Sequence, residues 1–194
     1  MENFDKTPDT PLRFGYKCTW LCVRSDAPED VIAKLGLKNA VKCNWKSGFE
    51  HLNEGIFVSP ALDGWVLVIG WGDDIITVDP ARLDAVGKMF PEVQYFSSHR
   101  VADYYAWVKY AGGVKIRAYC YCGGDGEVYV NIGELTSEEE ALGLTNLIPD
   151  SGADWDKYEF PDEENVVAIA AAWGVDTLKM EKYPPSTGYL CKFK

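Results

Sequence analysis

Three residues with acid–base side chains, His99, Arg100 and Asp103, lie close together after a predicted strand. A histidine beside a carboxylate and a cation can act as a general base. The chain lacks the G-x-S-x-G motif, and the nearby Ser97 and Ser98 are neighbours of His99 on the strand, where adjacent side chains point to opposite faces. We therefore expect a structural or solvent-exposed His99, and the three residues mark the weaker alternative of a small-molecule-binding domain or enzyme.

A long acidic segment between Asp125 and Val166 is the second chemical feature. Its acids are Asp125, Glu127, Glu134, Glu138, Glu139, Glu140, Asp150, Asp154, Asp156, Glu159, Asp162, Glu163 and Glu164. These thirteen acids less one base, Lys157, give the segment a charge of −12, against −11 for the whole chain. Such a segment attracts basic partners and repels nucleic acid and anionic lipid. A purely solubilising surface is the alternative interpretation.

The acids of this segment and two tryptophans in predicted loops form the predicted binding site. Its residues are Trp71, Glu138, Glu139, Glu140, Trp155, Asp162, Glu163 and Glu164. Tryptophans outside the core are typical of interfaces, and complementary charge speeds association and suppresses wrong partners. The pattern favours a non-enzymatic protein-binding module, of the immunity type that neutralises a basic partner.

Composition narrows the class of protein further. The six cysteines are Cys18, Cys22, Cys43, Cys120, Cys122 and Cys191. No C-x-x-C pair occurs and His occurs only twice, so we expect no metal site, and no dinucleotide or P-loop motif predicts a cofactor. The chain has no signal-peptide pattern, no apolar run long enough for a membrane span and no basic stripe. We expect a cytoplasmic protein with reduced thiols that binds neither membrane nor nucleic acid.

Helix caps and turn residues predict the first half of the chain. We expect a flexible leader at 1–13 and a single α+β domain at 14–194. The predicted elements are a strand at 16–24, a helix capped by Asp26 with Pro28 in its first turn and ended by Gly36, strands at 55–60 and 65–70, a helix at 80–90 and a strand at 93–96. Residues 39–53 show no clean period. The order matches the ferredoxin-like βαββαβ pattern.

The second half predicts an antiparallel meander followed by helices. Residues 104–110 fit a helix or a strand, and the glycines that follow favour a hairpin with 114–122. A strand at 127–132 and a helix capped by Thr136 with Glu139 at its third position come next. A last helix begins at 161–164 and ends at Trp173, and 189–193 fits a closing strand. We predict that the helices pack on one face of the sheet.

Three phrases of the sequence resemble a group of uncharacterised bacterial proteins in which they recur in this order. The phrases are FVSPALDGWVLVIG (57–70), VQYFSSHRVADYYAW (93–107) and PDEENVVAIAAAW (161–173). The resemblance implies a bacterial origin and one cooperative domain, and it attaches no activity or site to the chain.

Overall fold

One antiparallel sheet dominates the computed structural model, which describes residues 4–70, 80–123, 127–144 and 160–192. Within these residues the strands are β1 (Cys18–Arg24), β2 (Lys38–Asn44), β3 (Ile56–Leu62), β4 (Trp65–Gly70), β5 (Glu92–His99), β6 (Tyr104–Ala111), β7 (Val114–Cys122), β8 (Glu127–Ile132) and β9 (Thr187–Lys192). Their order across the sheet is β2-β9-β3-β4-β1-β5-β6-β7-β8. The run from β6 to β8 is the predicted meander, and the predicted mixed α+β class is confirmed.

The helices of the described residues are short. They are α1 (Pro28–Leu35), α2 (Trp45–Glu50), α3 (Pro80–Gly87), α4 (Ser137–Ala141) and α5 (Glu163–Trp173), with one 3-10 turn at Met180–Lys182. Gly36 ends α1 in the left-handed conformation, as predicted, but the residue before the helix is Ala27, with no side-chain cap, so the predicted Asp26 cap is wrong. None of these helices is long and apolar enough to cross a membrane.

The two faces of the sheet carry different cores because strand side chains alternate. Trp20 of β1 belongs to the aromatic face, which also carries Trp45, Phe57, Phe96, Trp107, Tyr119 and Trp173. Leu21 belongs to the aliphatic face, which is rich in Val, Ile and Leu. Residues of α2 and α5 pack on the aromatic face, and residues of α1 and α3 pack on the aliphatic face. The prediction that all helices lie on one face is therefore wrong, since the central strands are apolar on both faces.

The hairpin of β3 and β4 has the predicted structure. All six residues of β4 are buried, because the strand lies inside the sheet with β3 on one side and β1 on the other. Asp63 and Gly64 turn the chain with φ values of 51° and 81°. Positive φ at both positions is what a two-residue hairpin turn requires, and Asp-Gly supplies it at low cost.

Asp9, in the predicted leader, is bonded to residues of the domain. The Asp9 carboxylate accepts hydrogen bonds from the backbone N–H groups of Trp45 (2.8 Å) and Lys46 (2.9 Å), at the start of α2. Asp9 also exchanges backbone hydrogen bonds with Ser186, just before β9. Asp9 therefore connects the leader to the start of α2 and to the residue before β9, while its flexibility stays a prediction.

Residues 39–53, where the sequence shows no period, form most of β2 and all of α2. The strand is at an edge of the sheet and five of its seven residues are exposed, so it has no buried face to impose alternation. Its neighbour β9 lies between β2 and β3, so the last strand of the chain is internal and not at the sheet's edge.

Candidate functional site

A cavity of about 420 Å³ opens on the aromatic face, beside the end of the sheet where β1 begins. Its lining residues are Arg13, Phe14, Tyr16, Cys18, Phe49, Leu52 and Leu178. Protein pockets that bind small molecules have volumes of about 300–1,000 Å³, and their linings are mostly apolar with a few polar groups. This cavity therefore has the size and composition of a binding site.

The segment before β1 positions one wall of the cavity. The Phe14 N–H donates to the Thr177 carbonyl at 3.1 Å, which ties the segment to the chain after α5. The Phe14 ring packs edge-on against Trp20 and Phe49, with centroids 5.6 and 5.8 Å away. Because Trp20 is fully buried, these ring contacts hold the wall against the core.

The polar groups around the cavity differ in how they are held. The Tyr16 hydroxyl donates to the Glu164 carboxylate, with distances of 2.9 and 3.0 Å to its two oxygens. This bond raises the pKa of Tyr16, so the phenol stays protonated. The Cys18 thiol points to the Gly70 carbonyl at 3.5 Å, and burial raises its pKa to about 12, so it stays neutral. Arg13 is the one charged side chain in the lining.

Tyr16 joins the cavity to the acidic start of α5. The Asp162 side chain accepts from the Asn165 N–H at 3.0 Å, and the Asn165 side chain accepts in return from the Asp162 N–H at 2.9 Å. Glu163 lies 3.4 Å from the Arg100 guanidinium, and Glu164 is exposed apart from its bond to Tyr16. Carboxylates in the first turn are stabilised by the positive end of the helix dipole.

The structure places His99, Arg100 and Asp103 in and beside the turn that joins β5 to β6. All three are exposed, as expected for His99, whose Nδ1 lies 3.3 Å from the Ala102 N–H. Neither the 420 Å³ cavity nor a smaller one of about 110 Å³ on the aliphatic face is lined by any of them. The alternative of a pocket built on these residues stays a prediction, since neither of these two cavities of the described residues includes them.

The phenol of Tyr105, beside Asp103, has a raised pKa. Burial raises the pKa of Tyr105 to about 12, with further contributions from the Asp103 carboxylate and the nearby charges of Glu163 and Asp162. Tyr105 lies on the aromatic face at the start of β6. The turn at 99–103 and the start of α5 therefore share one end of the sheet.

Glu139 does not lie on the surface, so its predicted place in the binding site is wrong. Its side chain is fully buried, and both its oxygens accept from Arg117 Nε, at 2.8 and 2.9 Å. The carboxylate also accepts from the indole N–H of Trp107 at 2.8 Å. The buried cation accounts for the burial, because an unpaired carboxylate in this position would be strongly destabilising.

The other acids of α4 remain near the surface, with Glu140 exposed and Glu138 partly buried. Glu138 interacts electrostatically with Lys109. Lys109 lies near the end of β6, and Tyr105 lies near its start. Tyr105 and Lys109 are four steps apart along β6, a distance of about 13 Å. Since α4 contacts α5, the acids of both helices share one side of the sheet. Trp71 and Trp155, the two predicted aromatic contacts, lie outside the described residues.

All six cysteines are free. Burial raises the pKa of Cys43 to about 11 and that of Cys191 to about 12, which makes both poor nucleophiles. The described residues include no group of three or more His, Cys, Asp or Glu arranged to hold a metal ion.

The sequence does not predict this cavity, because Arg13 falls in the predicted leader and Phe14 and Tyr16 lie just beyond its boundary. The aromatic pair around Gly15 was the available signal, since large rings at such a boundary are typical of packed chain. The distant contributions of Phe49 and Leu178 carry no mark in the sequence.

Comparison with known proteins adds no relative: no family model matches the chain, and neither a curated protein nor a solved structure matches it. The resemblance to a bacterial group stays a prediction. Function is therefore argued from the geometry of the chain's own residues.

Proposed function

We propose that the protein is a non-enzymatic binding module that recognises a basic protein through the acidic helix ends. This surface consists of Glu138 and Glu140 of α4 and Asp162, Glu163 and Glu164 of α5. The observation that carries the proposal is the placement of these carboxylates at the starts of two helices in contact, on one side of the sheet.

Size and charge support a single docking surface. Because α4 contacts α5 and one side of a typical protein interface buries about 800 Å², a single partner surface is large enough to cover both groups of acids. Arg100 pairs with Glu163 at 3.4 Å but is 57% exposed, so it offsets one charge of five. Exposed charges contribute mainly to the association rate and to specificity, and salt screens them. Neutralisation of a toxic basic partner, as an immunity protein performs it, is the particular role that we propose.

Charge reversal at matched positions tests the proposal. One variant carries Glu138→Lys, Glu140→Lys and Glu164→Lys, which spares the buried Glu139 and the paired Glu163. The control carries Asp26→Lys, Glu54→Lys and Glu181→Lys, three exposed acids elsewhere, with the same change in net charge. Both are used as bait in a lysate of the native host, at low and high salt. The proposal expects partners that the wild type and control retain at low salt and that the first variant loses. Equal capture by both variants contradicts it.

We also infer a ferredoxin-like unit formed by β1, α1, β3, β4, α3 and β5. The strand order β3-β4-β1-β5 and the common aliphatic face of α1 and α3 support this unit. In it, β2 and α2 are an insertion between α1 and β3. We place the protein in the cytoplasm of a bacterium, and its six free thiols support a reducing compartment.

A further inference from the structure

The cavity on the aromatic face has a lining that includes none of the acids of the helix ends, although Tyr16 of its lining is bonded to Glu164. Its floor and walls are the side chains of Phe14, Phe49, Leu52, Leu178 and Cys18. At about 30 Å³ per water-sized group, 420 Å³ holds about fourteen non-hydrogen atoms. A molecule of this size with an apolar body would fill it.

The polar groups of the lining select the chemistry of the head group. The Tyr16 hydroxyl donates to Glu164, which directs its proton away from the cavity. The Cys18 thiol is directed to the backbone carbonyl of Gly70. Arg13 remains as the group that can offer several N–H donors to a ligand, and a guanidinium pairs best with a planar carboxylate.

We propose that the cavity binds an amphipathic carboxylate of about ten carbons, with its chain among Phe14, Phe49 and Leu178 and its head group at Arg13. Arg13 is exposed, so the carboxylate keeps part of its hydration while the chain is buried. The Glu164 carboxylate is not part of the lining and is bonded to the Tyr16 hydroxyl. Since Arg13 is the one charged side chain of the lining, the cavity favours ligands with one charged end.

Calorimetric titration of the full chain tests this site, with decanoate and decylamine below their micelle concentrations and decanol below its solubility limit. Decanoate is expected to bind with a stoichiometry of one, at least about tenfold more tightly than the other two. Arg13→Gln is expected to weaken decanoate about tenfold and to leave decanol unchanged. Lys38→Gln, the same charge change on the exposed edge strand β2, is expected to have no effect.

The second variant fills the cavity with a larger side chain. Leu178→Trp places a larger side chain in the lining and is expected to abolish binding of decanoate, with an unfolding transition that remains cooperative. The proposal is overturned if decanoate does not saturate, if decylamine or decanol binds as tightly, or if Arg13→Gln binds decanoate as well as the wild type does. No basic protein is present in these titrations. Their outcome therefore does not change the result of the charge-reversal test of the proposed function.

Discussion

Glu139 and Arg117 form an ion pair at 2.8 Å in which both side chains are at most 1% exposed. The same carboxylate accepts from the Thr136 N–H at 2.8 Å, while the Thr136 hydroxyl accepts from the Glu139 N–H at 3.2 Å. Glu139 is thus at once the reciprocal cap of α4 and the counterion of a strand residue. A five-residue helix, too short to be stable alone, is tied to the sheet by this side chain.

Removal of one partner of this pair is expected to be severe. Glu139→Gln leaves the Arg117 charge buried without a counterion, so the free energy of unfolding should fall by about 3–5 kcal/mol. Urea unfolding measures the loss. Glu140→Gln, the exposed next residue, is the control and should change stability by less than about 0.5 kcal/mol.

The double variant Arg117→Met with Glu139→Leu separates pairing from burial. It leaves no unpaired charge, so it should be more stable than Glu139→Gln, although Trp107 then loses its acceptor. Equal losses for the single and double variants would show that the ion pair is not the cause.

A second prediction distinguishes two roles of Asp162, which caps α5 and contributes charge to the acidic helix ends. Asp162→Ala removes the acceptor of the Asn165 N–H and should lower the free energy of unfolding by about 1 kcal/mol. Asp162→Asn keeps a capping oxygen and should remain near wild-type stability, while it removes the charge. If thermal or urea unfolding shows the same loss for both variants, the charge and not the cap stabilises the helix.

The capping motif of α4 illustrates what sequence can and cannot predict. Thr136 with Glu139 three residues later is a local signal, and the structure has the predicted capping box. The burial of Glu139 depends on Arg117, which is 22 residues away on β7. Pairing at that separation is decided by strand register, which a short-range pattern does not contain.

The same limit applies to the candidate site. The strands with two buried faces, such as β4, follow from their continuous apolar runs. The 420 Å³ cavity is formed where Phe14, Phe49 and Leu178 meet, and these belong to three separate segments. Their meeting is a product of tertiary packing, so the acidic segment was visible in the sequence and the cavity was not.

The third prediction concerns alkaline pH. Burial raises the pKa of the Cys43 thiol from 9.0 to about 11, and that of Tyr105 from 10.0 to about 12. A raised folded-state pKa gives stability that is complete below the unfolded value and is lost as pH rises through the folded value. The free energy of unfolding should therefore fall between about pH 9 and pH 12, by about 1.4 kcal/mol per pH unit for each such group.

Urea unfolding in the presence of a reductant, at steps from pH 8 to pH 11, measures this decline. Cys43→Ala removes one titrating thiol, so its stability should decline less steeply than that of the wild type between pH 9 and pH 11. Parallel declines of the two proteins would mean that Cys43 ionises as readily in the folded state as in the unfolded state.

The last prediction reverses the usual effect of alanine in a helix. Gly48 lies in α2, where glycine normally costs about 0.5–1 kcal/mol relative to alanine. Here a Cβ atom would lie 2.6 Å from Cε2 of the buried Phe57 ring, so Gly48→Ala should lower the free energy of unfolding by about 1–3 kcal/mol. Lys46→Ala, an exposed change in the same helix, is the control. Phe57→Leu makes room for the methyl group, so the double variant should lose less than the sum of the single losses. Strict additivity in urea unfolding would show that the ring is not what excludes a side chain at this position.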